Sequence, residues 1–337
     1  MCPEIVLHVE PGVVKDWSAF CRENPPHSIA LDGYVHGPPA YDPNGPHANF
    51  DHHCGVNRLA TRSTTGQVLV AILVGLLDKF SARGTTPTHV FVNDCDQDVC
   101  MAYWMLTHSD QVRNLRIEME LSQLILIEDL MDATAGAIPV DPDRSIIRKL
   151  TWAFELYDQA RLSNALGQMN GDEMRCLIEE TSARISRIAL SQGQESELCG
   201  SYDVLGGGQG WQMIREYGQY ARTKLFAKGV RAFVALQELP TGRYAYTVGR
   251  MSPFVRFPLD RIFSTLNGLE GSTADHEQWG GSDTIGGSPR RCGSRLTPRE
   301  VEQAIEQIMC DRPEGPLSKT YDGPSGPSPE PHGSAGG

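Results

Sequence analysis

The chain lacks a Cys-x-x-Cys pair and any paired cysteine framework: its nine cysteines are scattered at positions 2, 21, 54, 95, 100, 176, 199, 292 and 310. That excludes a disulfide-stapled scaffold and leads us to expect reduced thiols in a cytoplasmic protein. Basic residues are scarce, 30 Lys and Arg against 42 Asp and Glu for a formal charge of −12, so long duplex nucleic acid is not an expected partner, since phosphate backbones are held by electropositive surfaces. A small anionic substrate held by a few arginines and cations stays compatible with this balance. Long apolar runs are missing too. The longest, residues 68–77, contains a glycine and is too short to span a bilayer, so no membrane association is expected. The opening Met1-Cys2-Pro3-Glu4 has no basic region leading into a long apolar core, and no signal peptide is expected.

What the chain does have is a set of acidic stops after short apolar runs. Asp32 follows Ser28-Ile29-Ala30-Leu31; Asn93-Asp94-Cys95-Asp96-Gln97-Asp98 follows Val90-Phe91-Val92; Glu128-Asp129-Leu130-Met131-Asp132 follows Leu124-Ile125-Leu126-Ile127. Asp51-His52-His53 closes the Pro/Gly-containing stretch that runs from Tyr41 to Phe50. Strands of a parallel sheet covered on both faces read as continuous apolar runs, and ligands bind outside their carboxyl ends. Carboxylates at several such ends converge on one crevice, where without cations or shared protons they repel one another. The expected fold class is therefore α/β, a parallel sheet with helices on both faces and a smaller α/β domain after it.

Each feature also has a plainer reading. An isolated Asp-His-His is most often a solvated turn, and Asp94, Asp96 and Asp98 could form an Asx-rich turn capping a helix over 99–106; their density at the mouth of an apolar segment favours metal. His36 and His47 read as solvated loop histidines. The run Ser63-Thr64-Thr65 before residues 68–77 either caps a helix or, with Arg58 or Arg62 nearby, holds a phosphate.

The boundaries we expect are 1–145 for a metal-binding domain, 146–210 for a helical connector, 211–311 for a substrate-binding domain and 312–337 for a disordered Pro/Gly/Ser tail. In the second domain residues 229–236 and 243–250 read as a strand pair. The loop with Gly280, Gly281, Gly286 and Gly287, followed by Arg290, reads as a phosphate cradle.

Phe50-Asp51-His52-His53 resembles the signature of the DHH phosphoesterase superfamily, which includes RecJ-type exonucleases, oligoribonucleases and family II inorganic pyrophosphatases. Asn93 to Asp98 is similar to the acidic first motif of RecJ, Asp32 stands where the aspartate of the second motif does, and Asp129 or Asp132 is similar in setting to that of the fourth. Tyr41-Asp42-Pro43 resembles the Myg-type exonuclease branch. In the family the Asp-x-Asp motif precedes the triplet, whereas here it follows, so the motif order is permuted. Gly249-Arg250-Met251-Ser252 and the later glycine loop resemble the substrate-binding domain that commonly follows, with Ser282 or Ser288 in place of its usual histidine.

The resemblance implies hydrolysis assisted by two divalent cations, manganese or magnesium. It implies Asp32, Asp51, His52, Asp94, Asp96, Asp98 and Asp129 or Asp132 as metal ligands, and Asp51, His52 and His53 as the catalytic group. Arg58, Arg250, Ser252, the four glycines and Arg290 would then meet a small phosphorylated substrate or a short single-stranded nucleic acid. A homodimer is compatible with this reading. Two alternatives stand beside it: a nucleotide- or metal-binding protein without hydrolytic activity, and a metalloenzyme on the same scaffold with a non-phosphate substrate.

Overall fold

Apolar runs in the first third of the chain become strands, of which the three central ones are largely buried. The computed structural model describes residues 4–58, 60–80, 86–113, 119–163, 165–271, 278–289 and 292–311. Strands β1 (Ile5–Val9), β2 (Ser28–Leu31), β4 (His47–Phe50) and β5 (Thr88–Val92) run parallel in the order β1-β5-β2-β4, and β3 (Ala40–Asp42) closes the edge antiparallel to β4. Successive side chains alternate between the two faces. Ile29, Leu31, Val90 and Val92 enter the larger core, while Ala30 and Phe91 meet Phe20 of helix α1 (Trp17–Glu23), Tyr34 and Val35 on the other side.

Helices α2 (Thr64–Leu73), α3 (Leu76–Phe80), α4 (Gln97–Thr107), α5 (Ser109–Arg113), α6 (Met119–Ala133), α7 (Ser145–Leu162) and α8 (Gly171–Ala189) complete the larger core. At its centre Trp104 of α4 is fully buried and donates Nε1–H to Ser186 Oγ of α8 at 2.8 Å. Two expectations are corrected here. Residues 124–127 are not a strand: Leu121, Leu124, Ile125, Glu128 and Asp129 are the buried residues of α6, a 3.6-residue stripe that continues through the acids. The stretch 146–210 is not a separate connector either, because Ile146, Ile147, Leu150, Phe154, Ile178 and Ile185 of α7 and α8 belong to the same core as the sheet.

The second sheet begins within that stretch. β6 (Tyr202–Gly208) pairs antiparallel with β7 (Trp211–Glu216), so the three glycines at 206–208 read as a connection are strand. Helix α9 (Ala221–Ala227) carries the chain to β8 (Ala232–Glu238), parallel to β7, and β9 (Tyr244–Arg250) returns antiparallel, close to the expected pair. The order is β10-β11-β9-β8-β7-β6, with β10 (Gly280–Gly281) and β11 (Ile285–Gly287) at one edge. Helices α10 (Leu259–Glu270) and α11 (Pro298–Cys310) cover one face, and Leu225 and Phe226 of α9 pack on the other.

The protein is thus mixed α/β, with eleven α-helices and two mixed sheets among the described residues. None of the helices among the described residues is long and apolar enough to cross a membrane. Arg290 and the tail at 312–337 lie outside the described residues.

Candidate metal centre

Because β1, β2, β4 and β5 are parallel, their carboxyl ends share one edge of the first sheet. β2 ends at Asp32, whose backbone turns at φ 46°, a left-handed conformation that aspartate tolerates better than most residues. β4 ends at Asp51-His52-His53, and β5 leads through Asn93 to Asp96, the residue that caps α4. Asp32, Asp51, His52 and Asp98 are all buried.

His52 is the hub. Its Nε2 lies 2.6 Å from Asp132 Oδ2 and 3.7 Å from both Asp32 Oδ1 and Asp98 Oδ2. The 2.6 Å approach does not have hydrogen-bond geometry, and both of its atoms are buried with no hydrogen-bond partner. Asp51 Oδ2, His52 Nδ1 and both oxygens of Glu128 are orphaned in the same way. His53 folds back: its amide and its Nδ1 meet Asp51 Oδ1 at 2.9 and 3.0 Å, and Nδ1 is 3.4 Å from Asp32 Oδ1. Two overlapping ligand groups result, Asp32-His52-His53 and His52-Asp98-Asp132, each with candidate atoms within 4.8 Å of one another.

The amino end of α2 braces these groups. Asp98 accepts the amides of Thr64 and Thr65 at 2.6 Å each, and Thr64 Oγ1 donates to Asp32 Oδ1 at 2.9 Å. Asp129 accepts from Ser63 N and Ser63 Oγ at 3.0 Å each, and from Arg62 Nε and Nη2 at 3.1 and 2.7 Å. Helix-terminal donors open to a phosphate in the sequence reading are therefore occupied by the protein's own carboxylates. A Cβ at Gly66 would lie 2.2 Å from Asp129 Oδ1, so glycine is what lets α6 approach α2 here. Of the two aspartates left open, Asp132 joins the cluster, while Asp129 anchors a helix end. Asp94 also stands outside both groups, its Oδ1 accepting from Cys95 N at 2.6 Å.

Charge in this pocket is poorly compensated. Burial, then the neighbouring carboxylates, pushes Asp32, Asp96 and Glu128 well above the usual carboxylate range, and burial with Asp132 pushes Asp98 up as well. Asp51 moves the other way: burial opposes its ionisation, but the hydrogen bonds and charge of His53 overcome it. The same hydrogen bond raises His53 above the ordinary imidazole range. Divalent cations would relieve the repulsion, and a carboxylate-rich donor set with imidazole suits manganese or magnesium.

The residues expected to bind substrate divide. Arg58 lies at the cluster, donating Nη2–H to the Asp132 carbonyl at 3.2 Å from a half-exposed side chain. Arg250 instead donates Nε–H to the Asp283 carbonyl at 2.7 Å and Nη1–H to the Val255 carbonyl at 3.2 Å, inside the second domain. Ser252 accepts through its carbonyl from Val255 N at 3.0 Å. Gly280, Gly281, Gly286 and Gly287 form the β10–β11 ladder, and their small size serves backbone packing: a Cβ on Gly281 would lie 2.3 Å from Gly286 Cα, and one on Gly287 2.1 Å from the Tyr246 carbonyl oxygen. Among the described residues, no hydrogen bond or ion pair joins Arg250 or this hairpin to the Asp/His cluster.

Sequence reasoning missed Glu128 as a site residue and Thr64 and Thr65 as braces. Glu128 was visible as an acid four residues before Asp132, a spacing that brings two side chains close together only when the segment is helical. No model of a known protein family matches the chain, and no curated protein does.

Proposed function

We propose that this protein is a metal-dependent phosphoesterase that hydrolyses a phosphodiester or phosphoanhydride bond in a small nucleotide or short single-stranded oligonucleotide. The observation that carries the reading is the 2.6 Å approach of His52 Nε2 to Asp132 Oδ2 without hydrogen-bond geometry, in a pocket where four further carboxyl groups converge. A protein with no ligand to bind there would bury an avoidable penalty. The resemblance of Phe50-Asp51-His52-His53 to DHH phosphoesterases, and a parallel-sheet edge that gathers Asp32, Asp51 and Asp96, support the same conclusion.

Asp32, His52, Asp98 and Asp132 would hold two divalent cations, with Asp96 orienting Asp32 and Asp51 orienting His53. Bound there, such cations supply an acidified water and charge stabilisation for phosphoryl oxygens. Asp51 raises the affinity of His53 for a proton, and the half-exposed ring would meet a phosphate oxygen or protonate a leaving oxygen. Arg58 adds positive charge at the rim.

A hollow of about 460 Å³ adjoins the centre, lined by Tyr41, Asn49, Phe50, Arg62 and Gln67 among others. Gln67 links the two by donating to the Asp51 carbonyl at 2.9 Å. The exposed Tyr41 ring gives a nucleobase a surface on which to stack. The test is release of mononucleotide or phosphate from short single-stranded substrates with manganese. Asp51→Ala and His52→Ala abolish it on this reading, and undiminished turnover in both variants rejects it.

A further inference from the structure

At the opposite edge of the first sheet, Cys21 of α1, Asp42 at the end of β3 and His47 at the start of β4 bring one ligand atom each within 4.8 Å of one another. The length of β4 separates this cluster from Asp51, roughly 13 Å at about 3.3 Å per residue. His47, read from the sequence as a solvated loop histidine, is buried, at 3% exposure. Its Nε2 lies 3.2 Å from the Asn24 carbonyl oxygen, which can only accept, so Nε2 carries the proton. That leaves Nδ1 with a free lone pair, buried and without a hydrogen-bond partner.

The neighbours of that lone pair are arranged to receive a cation. Asp42 engages only Oδ1, accepting from Asn44 N at 2.9 Å. A Cβ placed on Gly45 would lie 3.5 Å from His47 Nδ1 and 3.9 Å from Asp42 Oδ2, so both atoms face the same small turn. Cys21 is a free, half-buried thiol. Beside it on α1, Phe20 packs edge-on against the imidazole at 5.8 Å and 81°, fixing the ring plane. A histidine that donates one ring N–H to a backbone carbonyl while the other nitrogen points into a cluster is the arrangement metal ligands commonly adopt.

We infer that Cys21, Asp42 and His47 form a zinc site, distinct from the carboxylate centre and independent of the function proposed for it. Sulfur, nitrogen and oxygen donors together select a borderline-soft cation, whereas the oxygen-rich centre selects a hard one. Three protein ligands leave a fourth tetrahedral position for water. Binding converts the Cys21 thiol to a thiolate and releases its proton to solvent. The bound ion adds a further tie between α1 and the β3–β4 hairpin, beside the Phe20 and Asn24 contacts of His47.

Cobalt(II) titration of the metal-free, full-length chain tests this. Cobalt is expected to produce a thiolate-to-metal charge-transfer band in the near ultraviolet that zinc displaces. Cys21→Ser abolishes the band. Asp42→Asn keeps the shape of the side chain and weakens binding by at least the roughly 10–100-fold that loss of an outer-shell partner costs. His52→Ala leaves the band intact because that residue belongs to the other centre. Among the described residues Cys54, 3.4 Å from His36 Nε2, is another thiol beside an imidazole and the natural competitor, and is removed as Cys54→Ser. No charge-transfer band in the unmodified chain, a band unchanged by both Cys21→Ser and Asp42→Asn, or a band lost in Cys54→Ser instead overturns the site.

Discussion

The carboxyl edge of the first sheet and the glycine hairpin of the second both have the composition of ligand sites, for opposite reasons: one is crowded with acids, the other with glycines beside basic residues. Their hydrogen bonding separates them. At the first, Asp51, His52, Glu128 and Asp132 keep buried polar atoms without partners. At the second, Arg250 is tied to two backbone carbonyls, and the glycines close a tight ladder that larger residues would force apart. Buried unsatisfied groups call for an explanation, whereas satisfied ones account for themselves. Residue type alone does not distinguish the two.

The sharpest way to break this contrast is to remove a group from each region. His52→Ala or Asp132→Ala should lower manganese-dependent turnover by more than about 100-fold, beyond the usual cost of an outer-shell loss, while Arg250→Ala should change it by less than about 10-fold, the scale of one net hydrogen bond. Steady-state kinetics on a short single-stranded substrate measures both, and an equal loss in Arg250→Ala would put the hairpin back in the site. Next in size is Gly66→Ala, whose methyl would meet Asp129 and Arg62. It should cost about 1–3 kcal/mol by overpacking, read by denaturant unfolding.

Asp129→Asn sharpens the contrast within α6 itself. It stands only three positions before Asp132, yet this change should reduce stability by about 1–3 kcal/mol through the Ser63 cap and leave metal stoichiometry unchanged. The smallest effect is on pH dependence. Glu128 is raised by burial and by Asp98, so in the metal-free protein it binds its proton more tightly folded than unfolded. Its contribution to stability is then present below the ordinary carboxylate range and is lost as pH climbs toward its raised folded value. Glu128→Gln should melt higher than the unmodified metal-free chain at neutral pH, with the gap closing as pH falls. A gap that stays constant with pH would contradict this.

Much of the first sheet could be read directly from residues. Ser28–Leu31 and Thr88–Val92 are mostly apolar because both their faces are covered, Ile5–Val9 is an edge strand with Leu7 alone buried, and the acids after them mark the shared edge. The run at 124–127 misled because four apolar residues fit a buried strand and a helix equally, and only the wider stripe from Leu121 to Asp129 settles the period. The same ambiguity hid Glu128, and it left Asp129 and Asp132 undistinguished, because only the packing of α6 gives one of them to Ser63 and Arg62 and the other to His52. Nor could local spacing show that Asp98 would take the amides of Thr64 and Thr65, a contact between residues 33 and 34 positions apart. The burial of His47 likewise depends on α1 folding across the end of β4.

The central claim is that His52 and Asp132 converge on a cation and not on each other. Anomalous diffraction from crystals grown with manganese tests it most directly. Two peaks are predicted, one within ligand distance of His52 Nε2, Asp98 and Asp132, the other beside Asp32. Density that shows His52 and Asp132 joined by a direct hydrogen bond, with no anomalous peak between the carboxylates, would contradict the account.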